Sequence, residues 1–374
     1  MTRWKGMAAL AAITAALLYV IHWMPSEPVP ATPVMGIVST ASEDDRREAQ
    51  VRALVQAAEA DGFEVLSMPV ERTQEAQIEA IRALIVYQAD VIVFTPLVES
   101  GWENVLREAN EAGVPVIAVD KSVRGDGFSI SYVGFDYTAL AEQAAQALLR
   151  LHPPRRGVLE LYGTLNASDA REIARGCREA LTAADLRVTY SLCGDGMRSR
   201  GYEILESLSE HLDEIGCIFA HNDAMARGAV DYLHEHGRVP GRDILVCSFG
   251  GGADMRALLN DGMVQVVAAL DDETLAALTV EAARGTVRAP AARFTYFAPA
   301  AVLEGGAGHA GSYGGPQHSR HAAAIIFSDY CGHVGADPAA RRTADWTDAA
   351  IRFCHCRYVP RIRAARNSGA GAAR

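Results

Sequence analysis

The chain has 374 residues, 49% of them hydrophobic and 22% charged, and a formal net charge of -11. That length holds two domains with substantial cores. The acidic balance argues against nonspecific binding to nucleic acid or to an anionic membrane surface, both of which favour basic proteins.

Arg3 and Lys5 precede an apolar run from Met7 to Trp23, and the Pro-rich stretch PSEPVPATPV follows. A charged start, an apolar middle and a small-residue exit form an export signal. Residues 1–32 are therefore expected to be a signal peptide and linker, or an anchor retained through residues 7–23, and the protein is expected in the periplasm. The run is short for a membrane span but within the usual range of about 17–25 residues. No A-x-A site follows it directly.

Val34 to Ser39 then reads as a strand, and Glu43 to Asp61 as a helix closed by Gly62. Glu64 to Met68 is a second strand and Thr73 to Gln88 a second helix. Ile92 to Phe94 and Val114 to Val119 are continuous apolar runs of the kind found in parallel strands covered on both faces. Between them Trp102, Val105, Leu106 and Ala109 share one helical face, and Gly113 stops that helix. Asp120 and Lys121 end the fourth strand, where open α/β sheets hold their ligands. A helix from Tyr137 to Leu151 closes the array at Pro153-Pro154.

The pattern then restarts. Strands are expected at Gly157 to Tyr162, Arg187 to Leu192, Cys217 to Ala220, Ile244 to Phe249 and Val264 to Leu270. Helices are expected at Ala167 to Ala184, Arg198 to Leu212, Ala224 to Glu235, Ala253 to Asp261 and Thr274 to Arg284. With no hairpin signals between them, the strands should be parallel and joined by crossover helices. Two such arrays predict an α/β protein of two doubly wound parallel-sheet lobes, 33–135 and 136–269, with a ligand cleft between them.

From Gly305 to Arg374 the βα period is lost and Gly, His, Ala and Arg dominate. This segment is expected to be a poorly ordered tail, or the product of reading out of frame beyond Glu304. Its Cys331-x-His333 and Cys354-His355-Cys356 fit no standard zinc spacing, and no metal or cofactor is expected. Among Cys177, Cys193, Cys217 and Cys247 one pair could bridge in an oxidising compartment. Cys217 and Cys247, in strand-like runs, read as buried thiols.

The two-array plan, the leader and five segments together resemble the type I periplasmic sugar-binding proteins of ABC transporters. The segments are TPLVESGWENVLREANEAGVPVIAVDKS, LYGTLNASDAREIARGC, FAHNDAMARGAVDYL, PGRDILVCSFGGGADM and LLNDGM. The resemblance is to the ribose-binding-like group and, within it, to galactofuranose-binding proteins. It implies two lobes joined by three crossover strands, with part of 270–304 returning to the N-terminal lobe. It also implies a monomeric solute-binding protein, not an enzyme, that closes on a sugar or sugar derivative and delivers it to a membrane permease.

Carried over position by position, the family's Asp-Arg pair is Asp120-Lys121, an acceptor and a donor for hydroxyls. The Asn of the A-x-N-D-x-M motif is Asn222. Other positions depart. The loop SEDDRRE puts Arg46 where an aromatic usually stacks on the sugar. Arg46 would pair either with an acidic ligand group, favouring a sugar acid, or with acidic neighbours on a solvated helix face. The family's Arg before Gly176 is Ile173, with Arg171 as the substitute. A second aromatic is replaced by Gly196, a family Asp by Gly250, and Ala268 to Leu270 are apolar.

Each charge-assisted hydrogen bond lost is worth about 1.5–3 kcal/mol, so these departures predict a weakened ordinary pyranose or furanose site. The alternative function is a membrane-tethered sensor or adaptor lobe with altered or lost sugar binding. An enzyme built on His221, Asp223 and Asp254 is disfavoured. The family motif makes His221-Asn222-Asp223 a binding loop, and no nucleophile elbow or phosphate loop accompanies it.

Overall fold

Buried apolar runs become the central strands of two sheets. The computed structural model describes Trp4, Gly6, Met7, residues 11–16, Tyr19, and residues 32–42, 44–128, 130–152 and 157–305. In the first lobe the chain runs β1 (Val34–Thr40), α1 (Asp45–Ala60), β2 (Glu64–Val70), α2 (Gln74–Val86), β3 (Val91–Phe94), α3 (Glu103–Glu111), β4 (Val116–Asp120) and β5 (Ser131–Gly134). β3 and β4 are buried along their whole length, as their unbroken apolar character requires. Trp102, Val105, Leu106 and Ala109 are all buried, and the Trp102 ring meets Phe94 edge-on at 5.0 Å.

The second lobe runs α4 (Tyr137–Arg150), β6 (Gly157–Tyr162), α5 (Ser168–Ala183), β7 (Val188–Cys193), α6 (Arg198–Ser207), a 3₁₀ turn (Ser209–Glu214) and β8 (Ile215–Ala220). It continues through α7 (Asp223–Glu235), β9 (Leu245–Gly250), α8 (Ala253–Asn260) and β10 (Val266–Leu270). The single helix expected over Arg198 to Leu212 is thus α6 followed by a separate 3₁₀ turn. α4 lies close on α5 because Gly176 has no side chain. A Cβ there would stand 2.3 Å from the Thr138 carbonyl oxygen.

The last described elements serve both lobes. α9 (Asp272–Arg288) packs on α1 and on β3 to β5. β11 (Thr295–Phe297) then joins the first sheet and β12 (Ala300–Glu304) the second. The sheet orders are β11-β5-β4-β3-β1-β2 and β12-β10-β9-β8-β6-β7. The chain therefore crosses between lobes after Gly134, Leu270 and Phe297. The crossing strands are bonded to each other, Ala298 N–H to the Gly134 carbonyl at 2.7 Å and Asp271 N–H to that of Pro299 at 3.2 Å.

Pairing is parallel throughout except between β12 and β10, which is antiparallel. This corrects the all-parallel expectation. The other strands of the second sheet end at the hinge, whereas β12 enters from the hinge and so must run the opposite way. β5, β11 and β12 themselves escaped the sequence reading.

Cys177, Cys193 and Cys247 are free thiols, and Cys217 is buried in β8. Burial pushes Cys177 and Cys247 far above their ordinary value, so both stay protonated and unreactive. Cys331, Cys354 and Cys356, like the expected tail, lie outside the described residues, as does most of the apolar leader. No helix among the described residues is long and apolar enough to cross a membrane.

Candidate functional site

β4 ends in a turn that sends two adjacent charges in different directions. Asp120 has φ +68°, and Lys121 N–H donates to the Val119 carbonyl at 2.7 Å. This i to i+2 bond forms a γ-turn of the rare positive-φ kind, a conformation costing about 1–3 kcal/mol for a residue other than glycine. The Asp120 carboxylate turns inward and is fully buried. Arg47 Nη1 donates to one of its oxygens and the Tyr137 hydroxyl to the other, both at 2.5 Å. Burial alone would push Asp120 up, but the Arg47 and Arg46 guanidiniums and these two hydrogen bonds outweigh it and hold the carboxyl at about 2.

Asp120, expected to accept directly from ligand hydroxyls, is fully buried and engaged on both oxygens inside the lobe. What it presents to the cleft is Arg47, steadied also by Gln50 at 2.5 Å. Lys121 does line the cleft, with its Nζ 3.3 Å from Asp169 of the opposite lobe.

Arg46 corrects a second expectation. It neither sits on a solvated face nor pairs with its acidic chain neighbours. Its Nη1 donates to both carboxylate oxygens of Asp272, at 2.7 and 2.9 Å, and Gln50 Nε2 donates to the same carboxylate at 2.6 Å. The acidic first turn of α9 is brought against the start of α1 by the return of the chain to the first lobe. Sequence separation hid this partner. Arg46 is buried yet borders the cleft.

Arg171 corrects a third. Its guanidinium goes to Glu99, at 3.0 Å, and to Glu172, and it lies outside the cleft lining. Helical geometry turns a residue two positions from Ile173 well away from it, and Ile173 itself is core. Arg171 is instead a strap between lobes, beside the backbone bond from Glu99 N–H to the Asn166 carbonyl at 2.7 Å.

The opposing wall comes from the second lobe. Asn222 caps α7, its Oδ1 accepting from Met225 N–H at 3.0 Å. Its Nδ2 donates to the Gly196 carbonyl at 2.9 Å and reaches Asp44 across the cleft at 3.4 Å. Arg72, which sequence reasoning missed, crosses from the first lobe to Asp195 at 2.6 Å and to Thr164 at 2.9 Å. No local pattern marks Arg72, because it is selected only by the approach of the two lobes. The space between the walls is about 860 Å³, part of it open to solvent, within the range of small-molecule sites.

The departures from the family pattern have local causes. Gly250 has φ +140°, and a Cβ there would lie 2.5 Å from Asp223 Oδ2. An aspartate at this position would be both strained and opposed by a carboxylate. Asp223 is buried and accepts from Ser248 Oγ at 2.6 Å and Gly252 N–H at 2.8 Å. Burial outweighs these bonds and pushes it up to about 6.

His221, the candidate base of an enzyme reading, has both ring nitrogens engaged. Gly163 N–H donates to Nδ1, and Nε2 faces Glu160, each at 3.3 Å. The proton is thereby assigned to Nε2, and the ring serves as wall.

Residues 35–288 match the periplasmic binding protein domain family. The chain belongs to that family. Its members are solute-binding proteins rather than enzymes, and the two six-stranded, largely parallel sheets are those of the type I fold. The galactofuranose-binding protein YtfQ of Escherichia coli is 31% identical over 266 residues, 69% of this chain and 81% of the relative. The ribose import binding protein RbsB of Bacillus subtilis is 28% identical over 238 residues, covering 64% and 76%. A solved structure from Mycobacterium smegmatis, in complex with β-D-fucofuranose, superposes with a TM-score of 0.68 at 26% identity. It covers 73% of this periplasmic binding protein and 91% of the other chain.

Proposed function

We propose that this protein is the periplasmic receptor of an ABC-type sugar importer and that it closes on a neutral sugar in its furanose form. The observation carrying this reading is the charge balance of the cleft. Each cation at its walls is matched by an aspartate: Arg46 by Asp272, Arg47 by Asp120, Arg72 by Asp195 and Lys121 by Asp169. Among the described residues no surplus positive charge waits in the cleft for an anion, so the sugar acid suggested by Arg46 in isolation loses its support. What remains is a dense set of fixed donors and acceptors, which suits hydroxyl groups. The furanose ring is supported by the galactofuranose and β-D-fucofuranose that relatives bind.

In this reading residues 1–32 are the export leader and linker, and the protein works as a monomer that hands its cargo to a membrane permease. Lys121, Asn222, Arg46 and Arg47 hold the ligand, while Asp120 acts through Arg47 and Arg171 through lobe closure. A thermal-shift panel of furanose-forming aldoses, sugar acids and polyols tests the reading, since a ligand that binds only the folded state raises the unfolding temperature. Stabilisation by a neutral aldose is expected. Stabilisation only by sugar acids, or by nothing in the panel, would refute it.

A further inference from the structure

One group of contacts joins the lobes outside the cleft lining. Glu99, in the loop between β3 and α3, donates its N–H to the Asn166 carbonyl of the second lobe at 2.7 Å. Its carboxylate accepts from the Arg171 guanidinium at 3.0 Å. Ser122, just past β4, donates its N–H to the Ser168 hydroxyl at the start of α5, at 2.8 Å. None of these residues lines the cleft.

Both halves of the junction are held in place within their own lobes. In the Glu99 loop, the fully buried Gln77 donates to the Thr95 carbonyl at 2.7 Å and accepts from Leu97 N–H at 3.0 Å. Gln74 Nε2 donates to the Ser100 carbonyl at 2.7 Å, and the buried Trp102 donates through Nε1 to that of Val98 at 2.8 Å. On the facing side Asn166 sits at φ +61°, in a turn closed by Ala167 N–H on the Thr164 carbonyl at 3.2 Å. Ser168 is buried. Groups fixed in this way lose little freedom when they meet.

Contacts made by protein groups alone favour closure by the same amount whatever the cleft holds, so they act on affinity and leave discrimination untouched. We infer that Glu99, Ser122, Asn166, Ser168 and Arg171 form a clasp that sets the balance between open and closed lobes and so scales the affinity for every ligand alike. What is bound rests on the sugar-receptor reading; the clasp itself does not. Cleft residues choose the ligand, and these positioning residues decide how firmly the lobes hold it. Buried Ser168 should contribute more than Arg171, whose ion pair is partly exposed.

Amide hydrogen exchange on the full chain, without sugar, tests the clasp in Ser168→Ala and in the double variant Ser168→Ala, Arg171→Ala. The telling amide is that of Glu99. Its acceptor, the Asn166 carbonyl, survives both substitutions, so it loses protection only if the lobes part. It should exchange about tenfold faster or more in the double variant than in the wild type. The Arg124 amide, which donates to the Glu99 carbonyl within the first lobe, should keep its wild-type rate. Isothermal titration with D-galactose and L-arabinose gives the second arm. The double variant should raise the Kd of each sugar that the wild type binds by about 3- to 30-fold, the loss of one or two hydrogen bonds. Where both bind, their affinity ratio should stay within about twofold of the wild type.

Thermal unfolding without sugar gives the folded fraction of each variant, and the single Ser168→Ala keeps the test open should the double variant fail to fold. A Glu99 amide that keeps its wild-type rate in these variants would overturn the clasp, as would a loss of affinity confined to one of the two sugars. A wild type that binds neither sugar would count against the receptor reading, and the exchange rates would still decide the clasp.

Discussion

Replacing Asp120 by Asn removes the charge beneath Arg47 while keeping the shape of the side chain. Two routes give its magnitude. The carboxyl is held at about 2 against an ordinary 3.8, a difference worth roughly 2 kcal/mol to folding. Removing one partner of a buried ion pair typically costs about 3–5 kcal/mol. Arg47 is 17% exposed and borders the cleft, so water offsets part of that. The expected cost is about 2–4 kcal/mol, accompanied by weaker sugar binding as Arg47 loses its fixed position. Because the folded pKa is depressed, the wild type holds this stability above about pH 4 and loses it as the pH falls towards 2. Urea unfolding of both proteins at pH 7 and pH 3 reads the difference. A gap below 1 kcal/mol at pH 7, or a gap that does not shrink at pH 3, would show that Asp120 is not the ionised anchor described.

Asp223 titrates in the opposite sense. Raised from 3.8 to about 6, it destabilises the folded protein by roughly 3 kcal/mol above pH 6, and the penalty fades as the pH falls from 6 towards 4. Asp223→Asn should be neutral or stabilising at pH 7.5 and should flatten unfolding midpoints between pH 4 and 6; an unchanged pH profile would contradict this. Gly250→Asp, which supplies the aspartate that the family resemblance implies, should lower stability by about 2 kcal/mol or more through its φ of +140° and the nearby Asp223 carboxylate. Calorimetry should therefore show a lower transition and no gain in sugar affinity. Arg72→Ala removes the strap to Asp195 and Thr164. Being partly exposed, the strap should be worth only about 1 kcal/mol, seen as a several-fold weaker Kd and a larger radius of gyration by X-ray scattering with sugar bound.

The βα alternation was legible because β3, β4, β8 and β10 are buried on both faces and their sequences are unbroken apolar runs. β5 (SYVG) mixes polar residues and a glycine with its apolar ones, and β11 and β12 lie at sheet edges and are partly exposed, so none of the three carries an unbroken apolar signal. At the site, Lys121 and Asn222 stand where the motifs put them. Asp120 was found, but its direction depends on a single positive φ, which no local pattern announces. The partner of Arg46 is 226 residues away, and Arg72 and Asp169 gain their roles only from the other lobe. Such pairings belong to tertiary structure, and a lone arginine or aspartate in a polar loop gives no sign of them.

The return of the chain after Leu270 bears on the order of folding during synthesis. The first sheet lacks its edge strand, and the covering helix α9, until residue 297 is made; the second lacks β12 until residue 304. Neither half can reach its final packing while the ribosome is still working through most of the chain, although domains ordinarily fold from the N-terminus as they emerge. A polypeptide whose last described elements lock both halves stays pliable until late, which suits the export proposed above, since a chain threads through an export channel before it folds.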